Sequence, residues 1–111
     1  MDVGVTSRDV DDLTVVEVSG EIDVYTASVL REKLASLVDA GRTDLVVDLT
    51  PVRFMDSTGL GVLVGVLKKV RGHGGRLQLV IDSDRLLRVF QITALTQVFT
   101  IHETLDAALA G

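Results

Sequence analysis

The segment richest in chemistry is Asp56-Ser57-Thr58-Gly59-Leu60-Gly61, which sets a carboxylate and two hydroxyls in a row ahead of closely spaced glycines. It follows a predicted strand and short loop and opens a predicted helix. The first backbone N–H groups of a helix have no partner within it, and the helix dipole adds partial positive charge at that end. A hydroxyl placed there is accessible, and an anion formed on it is stabilised. Ser57 is thus a candidate phosphate acceptor. A simpler reading is that Asp56 or Ser57 is only an N-cap, a role for which both residue types are favoured in any helix.

Other chemistries fit the residues poorly. Ser57, then Asp82 or Asp84, then His102 follow the Ser, Asp, His order of α/β-hydrolases, but the nucleophile elbow needs Gly at position 55, where Met55 stands. Gly59 and Gly61 with Gly65 miss the dinucleotide fingerprint, because Val64 occupies the third glycine position. Asp48 could suggest a phospho-accepting receiver, yet the acid pair expected after a first parallel strand is absent, since Asp11-Asp12 suits a hairpin turn. His73 and His102 read as surface or capping residues. The cations Lys68, Lys69, Arg71 and Arg76, with His73, cluster at a helix end, where they favour the dipole and could also assist docking.

The elements that position Ser57 are legible from periodicity. Val3 and Val5 alternate with small or polar residues, and Thr14, Val16, Val18, Gly20 and Ile22 share one face of a second strand, so a hairpin turning near Asp11-Asp12 is expected. Thr26 can cap a helix in which Leu30, Leu34, Leu37 and Val38 repeat at helical spacing, and Gly41 can stop it. Residues 45–49 are nearly all apolar, as in a strand covered on both faces. A second helix is expected over about 58–71, closed by Gly72, Gly74 and Gly75. Then follow a strand at 77–81, a helix at 84–92, a strand at 97–101 and a short helix at 104–110. Alternation of this kind predicts an α/β fold with a mostly parallel sheet, an N-terminal antiparallel hairpin and about four helices.

Helix 58–71 places Leu60, Leu63, Val64, Leu67 and Val70 on one stripe, with Val62 and Val66 off it beside Gly61 and Gly65. The expectation is a second apolar strip available to a partner protein. Its alternative is a helix buried along more than one stripe. Each helical glycine costs about 1 kcal/mol relative to Ala, which some close approach should offset.

Composition bounds the remaining possibilities. A chain of 111 residues suits one domain. A net charge of −5 argues against nucleic acid as a partner. The apolar stretch from Gly59 to Leu67 is far short of the roughly 20 residues of a membrane span, and the N-terminus shows no secretory signal. The absence of Cys excludes disulfides, redox pairs and thiolate metal sites, and is consistent with a reducing compartment, so a cytoplasmic location is expected. Neither a metal nor a cofactor is expected.

Taken together, Gly20-Glu21-Ile22-Asp23 with Thr26-Ala27, then Phe54-Met55-Asp56-Ser57-Thr58-Gly59-Leu60-Gly61-Val62-Leu63, then Gly74-Gly75, resemble the anti-sigma factor antagonists, the single-domain STAS proteins. The resemblance runs from about Val3 to Ala110. It is strongest to actinobacterial members, which share Glu-Ile-Asp-Val-Tyr-Thr-Ala. It implies the STAS fold over 1–111 and a non-enzymatic partner-switching role in stress-response transcription. The unphosphorylated protein would bind an anti-sigma factor serine/threonine kinase of the GHKL type and release a sigma factor. The kinase would phosphorylate Ser57 and separate, and a PP2C-type phosphatase, itself dependent on manganese or magnesium, would reset the switch. The resemblance places Asp23, Asp56 and Thr58 near the phosphosite, Asp23 in kinase or nucleotide contact. The partner-binding set expected is Asp23, Asp56, Ser57, Thr58, Gly59, Gly61, Val62, Gly65 and Val66. The alternative is a STAS scaffold in a stressosome-like complex or a transport-associated subunit. One departure stands out: many relatives have Gly where this chain has Ala94, so Ala94 would be strained if the position needs positive φ.

Overall fold

The computed structural model describes residues 2–110. The hairpin forms as expected, with β1 (Val3–Val10) antiparallel to β2 (Leu13–Ile22) and Asp11 at φ 54°, a left-handed conformation that Asp tolerates in a tight turn. The chain continues through α1 (Ala27–Asp39), β3 (Asp44–Asp48), β4 (Val52–Met55), α2 (Ser57–Gly72), β5 (Arg76–Val80), α3 (Asp84–Ile92), β6 (Thr100–His102) and α4 (Leu105–Ala110). The sheet runs β1-β2-β3-β5-β6, with β4 pairing β2 beyond the end of β3. All pairings except β1–β2 are parallel. This is the predicted α/β architecture.

Two elements differ from the sequence reading. Residues 52–55 form a strand rather than a loop, because β2 is longer than β3 and leaves its last residues free to pair with the returning chain. Residues 97–101 do not form one strand; Leu95–Gln97 is a 3₁₀ turn, and β6 begins only at Thr100.

The core lies on both faces of the sheet. Val16, Val18, Leu45, Val47, Leu77 and Leu79 pack under α1, α2 and α3. On the opposite face, Val15, Val46 and Val80 pack under Ala108 of α4. This explains the continuous apolar run of β3, which is covered from both sides. Phe90 and Phe99 meet edge to face in the larger core, with ring centroids 5.9 Å apart.

Local punctuation follows the residue types. Gly41, at φ 93°, ends α1, where the N–H groups of Gly41 and Arg42 donate to the carbonyls of Val38 and Leu37. Gly75 lies so close to the Thr43 carbonyl oxygen that any Cβ would collide with it. Ala94 adopts φ 60°, ψ 20°, the left-handed conformation that makes a non-glycine residue costly by about 1–2 kcal/mol. Ala94→Gly is therefore expected to stabilise the fold by about 0.5–1 kcal/mol after the entropy of the unfolded glycine is subtracted. Thermal or denaturant unfolding measures this as a raised midpoint with an unchanged denaturant slope. Among the described residues, no helix is long and apolar enough to cross a membrane.

Candidate functional site

Two parallel strands end side by side to create the site. Ile22 of β2 is in register with Met55 of β4, and the Asp56 N–H donates to the Ile22 carbonyl at 3.1 Å. Asp23 and Asp56, the next residues along each chain, thus leave the sheet together. Asp56 starts α2 at once, whereas Asp23 opens the short turn that leads into α1 at Ala27.

Asp56 is the N-cap of α2. Its Oδ1 accepts the Thr58 N–H at 2.9 Å and the Thr58 hydroxyl, while its carbonyl accepts the Gly59 N–H at 3.1 Å. Ser57 is the first residue of the helix and is exposed. The capping and acceptor readings are therefore compatible, since Asp56 takes the first role and leaves the second open to Ser57. Of the two neighbouring hydroxyls, that of Thr58 is engaged, and that of Ser57 has no hydrogen-bond partner among the described residues.

Asp23 is 7% exposed. Its Oδ1 accepts the Tyr25 N–H at 2.8 Å, the Thr26 N–H at 3.0 Å and a share of the Thr26 hydroxyl at 3.2 Å. Burial raises this carboxyl's pKa, but the bonds from Thr26 and Tyr25 outweigh it and hold the group below the ordinary carboxylate value. Thr26 does not cap α1 through its side chain. Instead its hydroxyl donates to the Glu21 carbonyl and accepts the Asp23 N–H, locking the loop ahead of the helix.

A groove of about 620 Å³ runs between α1 and α2, lined among others by Val24, Arg31, Thr58, Gly61, Val62 and Gly65. It refines the expectation for α2. Val62 and Val66 are not an exposed strip; both are buried in the main core, because α2 packs on the sheet and alongside its neighbour α1 and so buries two adjoining stripes. Val64, expected in the core, is only partly buried. Gly59 is also interior, and a Cβ there would press on Met55 and Ile22. Gly61 and Gly65, in contrast, are exposed, and beyond its own helical turn a Cβ on either would meet nothing within 4 Å among the described residues.

The basic cluster is largely committed to the fold. Lys69 pairs with Asp39 of α1 at 2.9 Å, Arg76 with Asp44 at 3.4 Å, and Arg71 donates to the Val98 carbonyl at 3.4 Å. His102 lies on the edge strand β6, with Nε2 2.8 Å from Gln78 Oε1, remote in the strand order from the β2–β4 end that carries Ser57. The triad suggested by residue order is not assembled.

Three exposed apolar residues at the site were not singled out by sequence: Val24 (65% exposed), Tyr25 (85%) and Phe54 (50%). Val24 and Tyr25 form an apolar pair between a strand and a helix, where polar turn residues are usual. That misfit was the available signal. Phe54 lies in the strand that the sequence reading took for a loop.

Comparison with known proteins places this geometry in context. Residues 5–108 match the STAS domain. The chain is 52% identical over 86 residues, 78% of either chain, to the anti-sigma-B factor antagonist of Bacillus subtilis, and 38% identical over 103 residues, 93% of this chain and 95% of the relative, to that of Staphylococcus aureus. Among solved structures, an anti-sigma factor antagonist from Mycobacterium paratuberculosis superposes with a TM-score of 0.91 at 33% identity, covering 98% of this chain and 92% of that one.

Proposed function

The chain belongs to the STAS domain family, among its anti-sigma factor antagonists, and we propose that it is a binding switch whose phosphate acceptor is Ser57. In the unphosphorylated state it binds an anti-sigma factor, a serine/threonine kinase of the GHKL type, and thereby frees a sigma factor. The kinase transfers the γ-phosphoryl group of ATP to Ser57 Oγ with loss of ADP and the hydroxyl proton, and the complex separates. A PP2C-type phosphatase hydrolyses the ester and restores the binding form. Members of this class are regulatory binding proteins, so the chain is substrate and ligand, and its partners supply the catalysis.

The observation that carries this reading is the exposed hydroxyl of Ser57, unbonded among the described residues, at the start of a 16-residue helix beside a carboxylate fixed by its capping bonds. Phosphorylation adds about −1.5 to −2 charge there. The helix N-terminus can hold that charge without rearrangement, while Asp56 and Asp23 increase the local negative potential against a docking partner. A penalty of about 3 kcal/mol weakens binding by on the order of a hundredfold. Size-exclusion chromatography tests the cycle directly. The chain and the kinase should co-elute without ATP and separate after ATP is added; a complex that persists with ATP contradicts the switch.

The partner surface includes Asp56, Thr58 and the groove at Gly61 and Gly65, to whose lining the nearly buried Val62 and Val66 also contribute, with Gly59 beneath. Among the described residues nothing requires glycine at 61 or 65, so close approach of the partner is what these positions serve. Gly61→Ala and Gly65→Ala are each expected to stabilise the isolated chain by about 0.5–1 kcal/mol and to weaken kinase binding by about tenfold. Parallel unfolding and titration experiments measure the two opposed effects. Destabilisation, or affinity equal to wild type, would remove these glycines from the interface.

A further inference from the structure

We propose that Asp23 is a positioning residue, holding Val24 and Tyr25 as a preformed apolar anchor for the anti-sigma factor rather than meeting that partner itself. This rests on the binding role given above and differs from the direct contact that family resemblance implies for Asp23. The carboxylate is nearly buried and spends Oδ1 on the Tyr25 and Thr26 N–H groups and the Thr26 hydroxyl. The Asp23 N–H donates in return to Thr26 Oγ1 at 2.9 Å, and the Asp23 carbonyl accepts the Ala27 N–H at 2.9 Å, closing the turn ahead of α1. Residues 23–27 are thereby closed into a rigid turn with the acid inside.

What the turn presents outward is apolar. Val24 and Tyr25 are the two most exposed residues of the segment. The chain has only four aromatic residues; Phe90 and Phe99 pair in the core, while Tyr25 and Phe54 face solvent near the β2–β4 end. A Tyr whose backbone is already fixed loses little further entropy on docking and brings a large contact area, as interface anchors do. Val24 lines the same groove as Thr58, so the anchor is continuous with the start of α2 that carries Ser57. The occupant is an apolar pocket on the anti-sigma factor, bordered by cations, because Asp56 stands at the start of the adjoining helix and the chain carries a net charge of −5, while nearby Glu21 is already paired with Arg53 at 3.7 Å.

The test uses the full chain and its anti-sigma factor kinase. Tyr25→Ala should weaken binding by about thirtyfold and leave the thermal midpoint unchanged. Asp23→Ala should weaken it by a similar factor, the double variant Asp23→Ala/Tyr25→Ala no further, and Asp23→Asn, whose amide oxygen can still accept the loop N–H groups, should recover affinity to within about threefold of wild type. Asp23→Asn as weak as Asp23→Ala would show that the charge itself meets the partner and would overturn the proposal, as would a silent Tyr25→Ala. A second readout needs no kinase. Tyr25 is the only Tyr in a chain without Trp, so its fluorescence anisotropy reports this loop alone. Anisotropy should fall in Asp23→Ala and hold in Asp23→Asn; equal mobility in wild type and Asp23→Ala overturns the positioning role whatever the kinase does. Failure of the wild-type chain to bind the kinase while anisotropy behaves as expected would instead overturn the binding role and the anchor with it, leaving the latch as a purely structural feature.

Discussion

Ser57→Asp should lower affinity for the anti-sigma factor kinase by about a hundredfold or more, while Ser57→Ala binds as wild type does. The contrast follows from geometry. Ser57 is exposed at the first position of α2, and its hydroxyl makes no bond within the described chain, so removing it costs the fold nothing. Adding a carboxylate sets a second acid next to Asp56, whose own oxygen is tied to the Thr58 N–H and cannot turn away without uncapping the helix. Asp23, leaving the neighbouring strand, adds to the same field. Inside a desolvated interface such charges are poorly screened, and about 3 kcal/mol is enough for the effect. Because the added charge lies at a helix N-terminus, Ser57→Asp should unfold at the same temperature as wild type or slightly higher. Calorimetric titration and thermal unfolding of both variants separate lost binding from lost folding. Equal affinities for the Ala and Asp variants would remove electrostatic exclusion as the mechanism.

The second large effect lies far from the site and separates stability from switching. Phe90 is fully buried on α3 and stacks edge to face against Phe99. In a core built mainly from Val and Leu, with Phe99 already seated against this ring, the vacated space is not readily refilled. Phe90→Ala is expected to cost about 3–5 kcal/mol, a large part of the roughly 5–15 kcal/mol available to a domain of this size. The denaturation midpoint should fall steeply at unchanged slope. Titrated at low temperature, where the variant remains folded, it should still bind the kinase with near wild-type affinity, since α3 contributes no residue to the α1–α2 groove. A loss of less than 1 kcal/mol would mean that α3 is not part of the cooperative core.

The segment around Ser57 was legible because three local rules coincide there: a capping acid, a hydroxyl at the first helical position and glycines that no helix propensity explains. The hairpin, α1, α2, β5 and α3 were legible from periodicity and punctuation. What escaped was set by neighbours distant in sequence. β4 exists because β2 outruns β3 and offers free backbone groups, a length mismatch that the residues Val52 to Met55 do not advertise. Val62 and Val66 looked available because a helical period marks one stripe, whereas the position of α1 decides whether the next stripe is also covered. The contact role of Asp23 came only from the resemblance, and nothing local in the sequence announces the turn that folds back over its carboxylate through Thr26. Ala94 shows the converse. Comparison with the family glycine pointed to a left-handed backbone, and φ of 60° is what the loop adopts.

Site-resolved mass spectrometry after incubation with the anti-sigma factor kinase and ATP shows directly whether Ser57 is the phosphate acceptor. A single phosphate is expected, localised to Ser57 in the wild-type chain and absent from Ser57→Ala, with Thr58 unmodified in both because its hydroxyl is held by Asp56. Undiminished phosphorylation of Ser57→Ala would contradict it.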